Sequence, residues 1–441
     1  MRGDDTTTRR IAIGVVVLVA VVTRVGWMLH VRDTNPAATT SRDTPSYVQP
    51  ARALVEDGAL TTRPGSADPI YFRTPGYPLV IATVFAVDEN ETAFLLGQVL
   101  LSCLTVFLAY VLAKQRWGVT VGVVAAALIA LEPLQFAASG TLLTESVFSL
   151  LLLCIVGAGY RVFTTGARSS KWCLLLGLAV AAAALVRPTL YYLPLFVVLL
   201  LVASARGLGV RNTVTAVVVF ALPVVVLVGG WQVRNDREVG SWRYAGVEGL
   251  NLHTYRGADA LARHDGITLT AARQQLADDL RRSPVATCTR DGCAPADPSR
   301  PGPFYDELYT RGLDLVRSYP VEAAEGTVSG LTREVFGPGT ETVARYLDVR
   351  ASTPLQALLL AGLLAFYAGL AYGVLLVIRR PGGLGVAHVF ALGVAAYVLV
   401  VSAGPEAYAR FRGPVMPVLA LYAALGFTTA VERLLRKRAM A

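Results

Sequence analysis

The residues best suited to chemistry lie in short polar stretches that interrupt a very apolar chain. The first stretch is Arg42-Asp43-Thr44-Pro45-Ser46-Tyr47, and the second is Tyr71-Phe72-Arg73-Thr74-Pro75-Gly76-Tyr77-Pro78. Together they set a lone carboxylate, a fixed guanidinium and rigid Pro/Gly turns beside the first hydrophobic segment. A carboxylate in that position can take a proton from a hydroxyl. The planar fork of Arg73 suits a phosphate, because it offers bidentate donors and keeps its charge. Asp43 also has a plainer reading, since Asp before a helix is commonly an N-cap or a solvated loop charge. Glu145, in Thr141-Leu142-Leu143-Thr144-Glu145-Ser146, either complements a helix dipole with Thr144 as cap or faces a cavity open to the outside. Arg187-Pro188 poses a similar choice between snorkelling and facing a cavity. Two further clusters, Trp231-Gln232-Val233-Arg234-Asn235 and Glu406 to Pro414 with Arg410 and Arg412, have the aromatic neighbours of interfacial anchors. Positive charge outside a membrane runs against the usual bias, so these arginines ask for an anionic partner. Arg24, inside the first hydrophobic segment, reads as snorkelling or paired.

The elements that position these residues are membrane spans. Hydrophobic residues make up 54% and charged residues 16% of the 441, and the mean hydropathy is +0.52. The apolar residues fall in long blocks instead of short periodic stripes, which excludes a soluble globular class. A span needs roughly 20 mostly apolar residues. About ten segments meet that criterion: 11–30, 93–113, 119–138, 146–163, 172–187, 189–205, 213–231, 355–378, 384–403 and 413–431. The fold class expected is therefore all-α and polytopic. Short loops holding Lys114/Arg116, Arg161/Arg168/Lys171, Arg206/Arg211 and Arg379/Arg380 alternate with connections nearly free of cations, and both tails are basic. Both termini then face the cytoplasm of a plasma membrane, and the candidate site faces outward. The net charge of +9 reads as topology and attraction to anionic headgroups; a nucleic-acid partner would need a basic soluble surface, which is missing.

The chain divides into an N-terminal membrane module over 1–230 that includes an outer loop at 31–92, an outer helical segment over 231–354, and C-terminal spans over 355–441. Pro50 to Gly58 reads as a surface helix, with Pro near its start and Gly at its end, so that Asp43 lies just before it. Thr270 to Arg282 and Phe304 to Tyr319 have helical spacing, and the stretch between them carries Cys288 and Cys293. An oxidising exterior permits a small disulfide loop there, and two free thiols are the alternative.

The order of motifs resembles the GT-C superfamily of membrane glycosyltransferases, the group that includes protein O-mannosyltransferases and bacterial aminoarabinose transferases. The resemblance runs along most of the chain. Asp43-x-x-x-Tyr47 is similar to the first-loop acid, and Arg73-Thr74-Pro75-Gly76-Tyr77-Pro78 to the basic turn. Thr144-Glu145, Arg187-Pro188, Trp231-x-x-Arg234-Asn235 and Arg410-Phe411-Arg412-x-Pro414 follow in order. It implies transfer of a sugar from a polyprenyl-phosphate donor to a protein, glycan or lipid acceptor outside the membrane, with inversion. Asp43 would be the base, and Arg73, Arg234, Arg410 and Arg412 would hold the donor phosphate. Tyr47, Tyr77, Glu145, Arg187 and Asn235 would support them. No cofactor is certain, and a divalent metal stays open: Phe72 stands where some relatives carry an acid, leaving His253 and Glu145 as remaining ligands. The rival reading is a lipid-linked saccharide flippase, with Glu132, Glu145 and Arg187 lining a path. The sequence shows no repeated halves of the kind transporters commonly carry.

Overall fold

The computed structural model describes residues 3–164, 169–205, 209–289 and 292–440. Arg168 and Arg206 of the inferred inner loops lie outside them. The N-terminal part runs α1 (Gly3–Thr34), α2 (Pro45–Glu56), α3 (Gly76–Phe85), α4 (Glu91–Trp117), α5 (Val119–Leu131), α6 (Pro133–Ser139), α7 (Glu145–Thr164), α8 (Ser170–Val186), α9 (Leu193–Ala203), α10 (Val210–Val224) and α11 (Gly230–Val239). The outer segment follows with α12 (Val247–Leu250), α13 (Ala258–Asp265), α14 (Leu269–Leu280), strands β1 (Ala286–Cys288) and β2 (Cys293–Pro295), α15 (Gly302–Ser318), α16 (Pro320–Phe336) and α17 (Thr340–Leu347). The chain then returns through α18 (Thr353–Ile378), α19 (Val386–Ser402) and α20 (Met416–Met440).

The all-α membrane class holds, and the apolar segments expected as spans divide by length. Six stretches are long and apolar enough to cross: Ile11–Thr34, Glu91–Trp117, Glu145–Thr164, Val210–Val239, Thr353–Ile378 and Ala409–Met440. A seventh is α5 with α6, bent by 64°. The other three expected spans fall on shorter apolar helices. At about 1.5 Å per residue, the 17 residues of α8 or of α19 reach only about 26 Å, against a hydrocarbon core of about 30 Å.

The bend at Glu132-Pro133 explains Arg24. Proline cannot donate into the helix ladder, so carbonyls at the end of α5 are left open. Arg24 is fully buried; its Nη2 donates to the Ile129 carbonyl at 3.3 Å and its Nε to Ser102 Oγ at 3.1 Å. The paired alternative is therefore the one realised. At the other end of the chain, Gly369 and Gly373 on α18 meet Gly426 on α20. A Cβ at Gly373 would come within 1.9 Å of the Tyr422 carbonyl oxygen, the close small-residue approach that packs helices where no hydrophobic force acts between them.

In the loop after α1, α2 begins at Pro45, five residues earlier than expected, because Pro45 occupies the first turn and Pro50 is carried inside the helix. Gly58, at φ 70°, follows its C-terminus. The helices expected near Thr270 and Phe304 are α14 and α15. Cys288 and Cys293 are disulfide-bonded and face each other across the β1–β2 hairpin. The helix α16 escapes a reading of apolar periodicity because glycines make its tightest contact: a Cβ at Gly330 would lie 2.0 Å from the Gly404 carbonyl oxygen.

Candidate functional site

Five of the motif side chains converge where the first outer loop meets the ends of α7, α8 and the 3-10 turn Ala409–Val415. Asp43 does not cap α2. Its Oδ1 accepts from Arg73 Nη2 at 2.8 Å, and its Oδ2 accepts from Arg410 Nη2 at 3.3 Å. Arg410 Nε lies 3.3 Å from Glu145 Oε1, which also accepts from Arg187 Nη2 at 2.7 Å. Arg187 Nε donates to Thr144 Oγ1 at 2.7 Å. A chain of alternating charge thus runs Arg73, Asp43, Arg410, Glu145, Arg187. Three guanidiniums against two carboxylates leave it one positive charge in excess.

Burial grades along this chain. The Glu145 side chain is 2% exposed and the three arginines 15–18%, whereas Asp43 is 37% exposed. The outermost member is therefore the carboxylate best placed to meet a ligand. A buried ion pair holds its position only if the remaining donors and acceptors are satisfied. Here Ser46 Oγ accepts from Arg73 Nε at 3.2 Å and aromatic faces lie over the guanidiniums, whereas Glu145 Oε2 and Arg410 Nε are buried without a hydrogen-bond partner among the described residues. Arg73 lies 5.0 Å from the Tyr47 ring and 4.8 Å from that of Phe72, and Arg187 lies 5.2 Å from Phe148. Tyr47 packs edge-on against Tyr77 at 5.0 Å, so both tyrosines buttress Arg73.

The local sequence dictates this placement. Gly76 starts α3 flush against α8: a Cβ there would come 2.5 Å from the Leu185 carbonyl carbon and 2.7 Å from the Val186 nitrogen. Only Gly allows the Arg73 turn to approach the end of α8 so closely, and Arg187 follows one residue later. Arg187 itself is extended, φ −138° and ψ 121°, as the residue before a proline prefers. Thr44 Oγ1 donates to the Leu142 carbonyl at 3.0 Å, which ties the Asp43 turn to the loop that leads into Glu145.

Two residues expected at the phosphate, Arg234 and Arg412, and one expected to support them, Asn235, do not join the cluster. Arg234 donates to the Ile70 carbonyl at 2.6 Å, pairs with Glu238 at 2.7 Å and lies over the Trp231 ring. Asn235 is fully buried and donates to the carbonyls of Arg243 and Tyr244. Arg412 is 2% exposed, and its Nη1 serves the carbonyls of Glu334, Val335 and Gly337 at 2.8, 2.9 and 2.8 Å. It caps the end of α16, where helix carbonyls have no intrahelical partner. Beside it lies Glu334, an acid the sequence did not single out. It is fully buried, accepts from Ser402 Oγ at 2.8 Å, and burial pushes its carboxyl up to about 7.

Among the described residues no group of three or more His, Cys, Asp or Glu gathers at ligand distance. Both carboxylates of the cluster are already matched by guanidiniums, and an added dication would face an excess of positive charge. His253 lies elsewhere, in the outer segment, among Asp279, Glu307 and Arg311.

Comparison with known proteins agrees with this architecture. Residues 72–231 match the family model described as dolichyl-phosphate-mannose-protein mannosyltransferase. No curated protein matches the chain by sequence. Among solved structures, the oligosaccharyltransferase AglB from Archaeoglobus fulgidus in complex with an inhibitory peptide and a dolichol-phosphate superposes over 99% of this chain and 52% of its own, with TM-score 0.56 and 13% identity. Its apo form gives 98%, 51%, 0.55 and 13%. ArnT from Cupriavidus metallidurans in the apo state aligns more loosely, over 94% of this chain and 77% of its own, with TM-score 0.40 and 15% identity. The chain spans about half the length of the AglB structures it matches. The architecture expected from the motif order is met at the level of fold: the chain shares the fold of the AglB structures.

Proposed function

We propose that this GT-C-fold membrane protein moves a sugar from a polyprenyl-phosphate donor to a hydroxyl-bearing acceptor on the outer side of the plasma membrane, with both of its termini in the cytoplasm. The observation that carries the reading is the Asp43 carboxylate held between Arg73 and Arg410, 2.8 and 3.3 Å away. A phosphodiester bears one negative charge, which matches the one positive charge in excess at the cluster. On arrival its oxygens take the guanidinium donors of Arg73 and Arg410 and release Asp43.

The chemistry then follows from position. The bond between the anomeric carbon and the phosphate oxygen breaks as the acceptor oxygen attacks from the opposite face, which inverts the configuration. Asp43 takes the acceptor proton, and the leaving phosphate keeps the electron pair. Arg73 and Arg410 stabilise the charge that develops on that phosphate. Glu145 is a positioning residue: it holds Arg410 from behind and is held by Arg187. Since the guanidiniums supply the cationic charge, no metal enters the scheme. Transfer is accordingly expected to survive exhaustive EDTA treatment of the membranes at the untreated rate; an EDTA-sensitive rate restored by a divalent cation would refute this part.

The test of the reading is transfer of radiolabelled sugar from a panel of polyprenyl-phosphate mannose, glucose and arabinose in membranes carrying the chain. Transfer from one donor names the sugar, and none from any donor sinks the proposal. Gly76→Ala probes the positioning. With no room for a Cβ against the Leu185–Val186 backbone, α3 must move away from α8 and carry Arg73 with it. A shift on the order of 1 Å is expected to lower turnover about 100-fold, with the overpacked junction destabilised by about 1–3 kcal/mol. Wild-type kinetics in this variant would show that the junction does not position Arg73.

A further inference from the structure

One half-buried carboxylate in the segment after α11 has no hydrogen-bond or ion-pair partner among the described residues. Glu248, in α12, is half-buried and accepts no hydrogen bond from any described residue. Its charged neighbours, Arg243 and Asp306, form an ion pair with each other: Arg243 Nε lies 2.9 Å from Asp306 Oδ1 without hydrogen-bond alignment, and the guanidinium lies 3.4 Å over the Tyr309 ring. Asp306 also accepts from Ser241 Oγ at 2.7 Å, and Ser241 in turn accepts from Tyr71 at 2.8 Å. Glu248 is left over, amid the phenols of Tyr71, Tyr192 and Tyr244. Burial pushes its carboxyl up to about 7 in spite of Arg243. An unpaired, desolvated acid of this kind costs stability in the free protein, so a ligand donor is the natural way to offset it.

The surroundings say which donor. Tyr192, whose phenol feels the Glu248 charge, is more than half exposed, and Trp242, six residues before the acid in the chain, is exposed to the same degree. A membrane-interface belt of aromatics accounts for those two rings but not for an unpaired carboxylate. The backbone joins this place to the reaction site: Gly246 N–H donates to the Tyr71 carbonyl at 2.9 Å and Val247 N–H to that of Phe72 at 3.1 Å. Residues 246–248 therefore run alongside 71–73, the stretch that ends in Arg73. Gly246 and Gly249 are needed here, because a Cβ at either would strike Tyr305, at 2.9 Å from its ring and 2.3 Å from its carbonyl oxygen.

We infer that Glu248, with the Arg243–Asp306 pair and the rings of Tyr192 and Tyr309, forms a carbohydrate subsite beside Arg73. The carboxylate accepts from neighbouring hydroxyls of a sugar ring, the Arg243–Asp306 pair offers one donor and one acceptor more, and the aromatic faces cover the apolar side of the ring. This rests on the transferase reading for its place in the reaction, although the binding it asserts does not require turnover.

The experiment uses the full chain in nanodiscs and two probes: methyl glycosides of mannose, glucose and arabinose, followed by saturation-transfer NMR, and undecaprenyl phosphate without a sugar. Glu248→Gln is expected to weaken binding of the preferred glycoside about tenfold or more, with undecaprenyl phosphate bound as before. Tyr309→Ala should weaken the same glycoside. Equal glycoside binding by wild type and both variants overturns the proposal. So does a wild type that binds undecaprenyl phosphate and none of the glycosides, an outcome that leaves the transferase reading standing. Glycoside binding that depends on Glu248, in a protein that transfers from no donor, supports the subsite and removes the transferase reading. The source of the sugar follows from a third comparison. If Glu248→Gln abolishes the preference for undecaprenyl-phosphate sugar over undecaprenyl phosphate, the subsite holds the donor's sugar; if the preference persists while glycoside binding falls, it holds the acceptor's.

Discussion

Asp43→Asn is expected to lower sugar transfer about a thousandfold while the lipid donor is still bound, and bound at least as tightly as by wild type. The two halves of this expectation have separate causes. A carboxamide cannot accept the acceptor's proton, and a positioned base contributes roughly 100- to 10,000-fold. Asn keeps the shape of the residue but removes the negative charge that now occupies Arg73 Nη2 at 2.8 Å and Arg410 Nη2 at 3.3 Å. The excess positive charge of the cluster rises from one to two, so a phosphodiester meets freer guanidiniums. The substitution also separates this role from the plainer one, because Asn caps a helix as well as Asp does. A residue that only started α2 would tolerate it. Turnover and donor binding measured on the same membranes decide the matter. Unchanged turnover would place the base elsewhere, and loss of donor binding along with turnover would make Asp43 part of the donor seat.

What the sequence revealed and what it hid divide along a physical line. Asp43, Arg73, Glu145, Arg187 and Arg410 are legible because each stands next to Pro, Gly or a helix end, where the backbone is fixed by local chemistry. Gly76 and Pro188 are the clearest cases. Pro188 fixes its own backbone and restricts Arg187, Gly76 leaves room for the close approach to α8, and both lie within three residues of a cluster arginine. Arg234 and Arg412 look the same in sequence, each beside aromatics at a boundary. Their donors go to carbonyls far along the chain, at Ile70 for one and at Glu334, Val335 and Gly337 for the other. No local pattern announces such a partner. Glu334 and Glu248 were hidden for the same reason, since an acid in a polar outer segment reads as solvated until the packing around it is known. Hydropathy reports composition, whereas crossing also needs length: α8 and α19 are predominantly apolar and, at 17 residues each, lie at the short end of what crosses.

Glu145→Gln has the second large expected effect, and its size decides between two accounts of the same acid. If Glu145 only complemented the dipole of α7, neutralising it would cost about 0.3–1 kcal/mol. The structure gives it more to do. It is 2% exposed, and its Oε1 faces Arg187 at 2.7 Å and Arg410 at 3.3 Å. Removing one partner of a buried ion pair costs about 3–5 kcal/mol, because the charges left behind are uncompensated. Both arginines are 15–16% exposed, so solvent recovers part of that, and a loss of about 2–3 kcal/mol is expected. Thermal unfolding of the purified protein in detergent should show a clear fall in midpoint. Transfer should fall too, by a different route from Asp43→Asn. Arg410, no longer held from behind, presents its fork to the phosphate less often, so the loss appears mainly as weaker donor binding. Glu145→Asp, which restores charge on a shorter arm, should recover stability more fully than transfer. A midpoint within a degree of wild type in Glu145→Gln would reduce Glu145 to a helix-end charge, and the arrangement of Arg187 and Arg410 would then need another support.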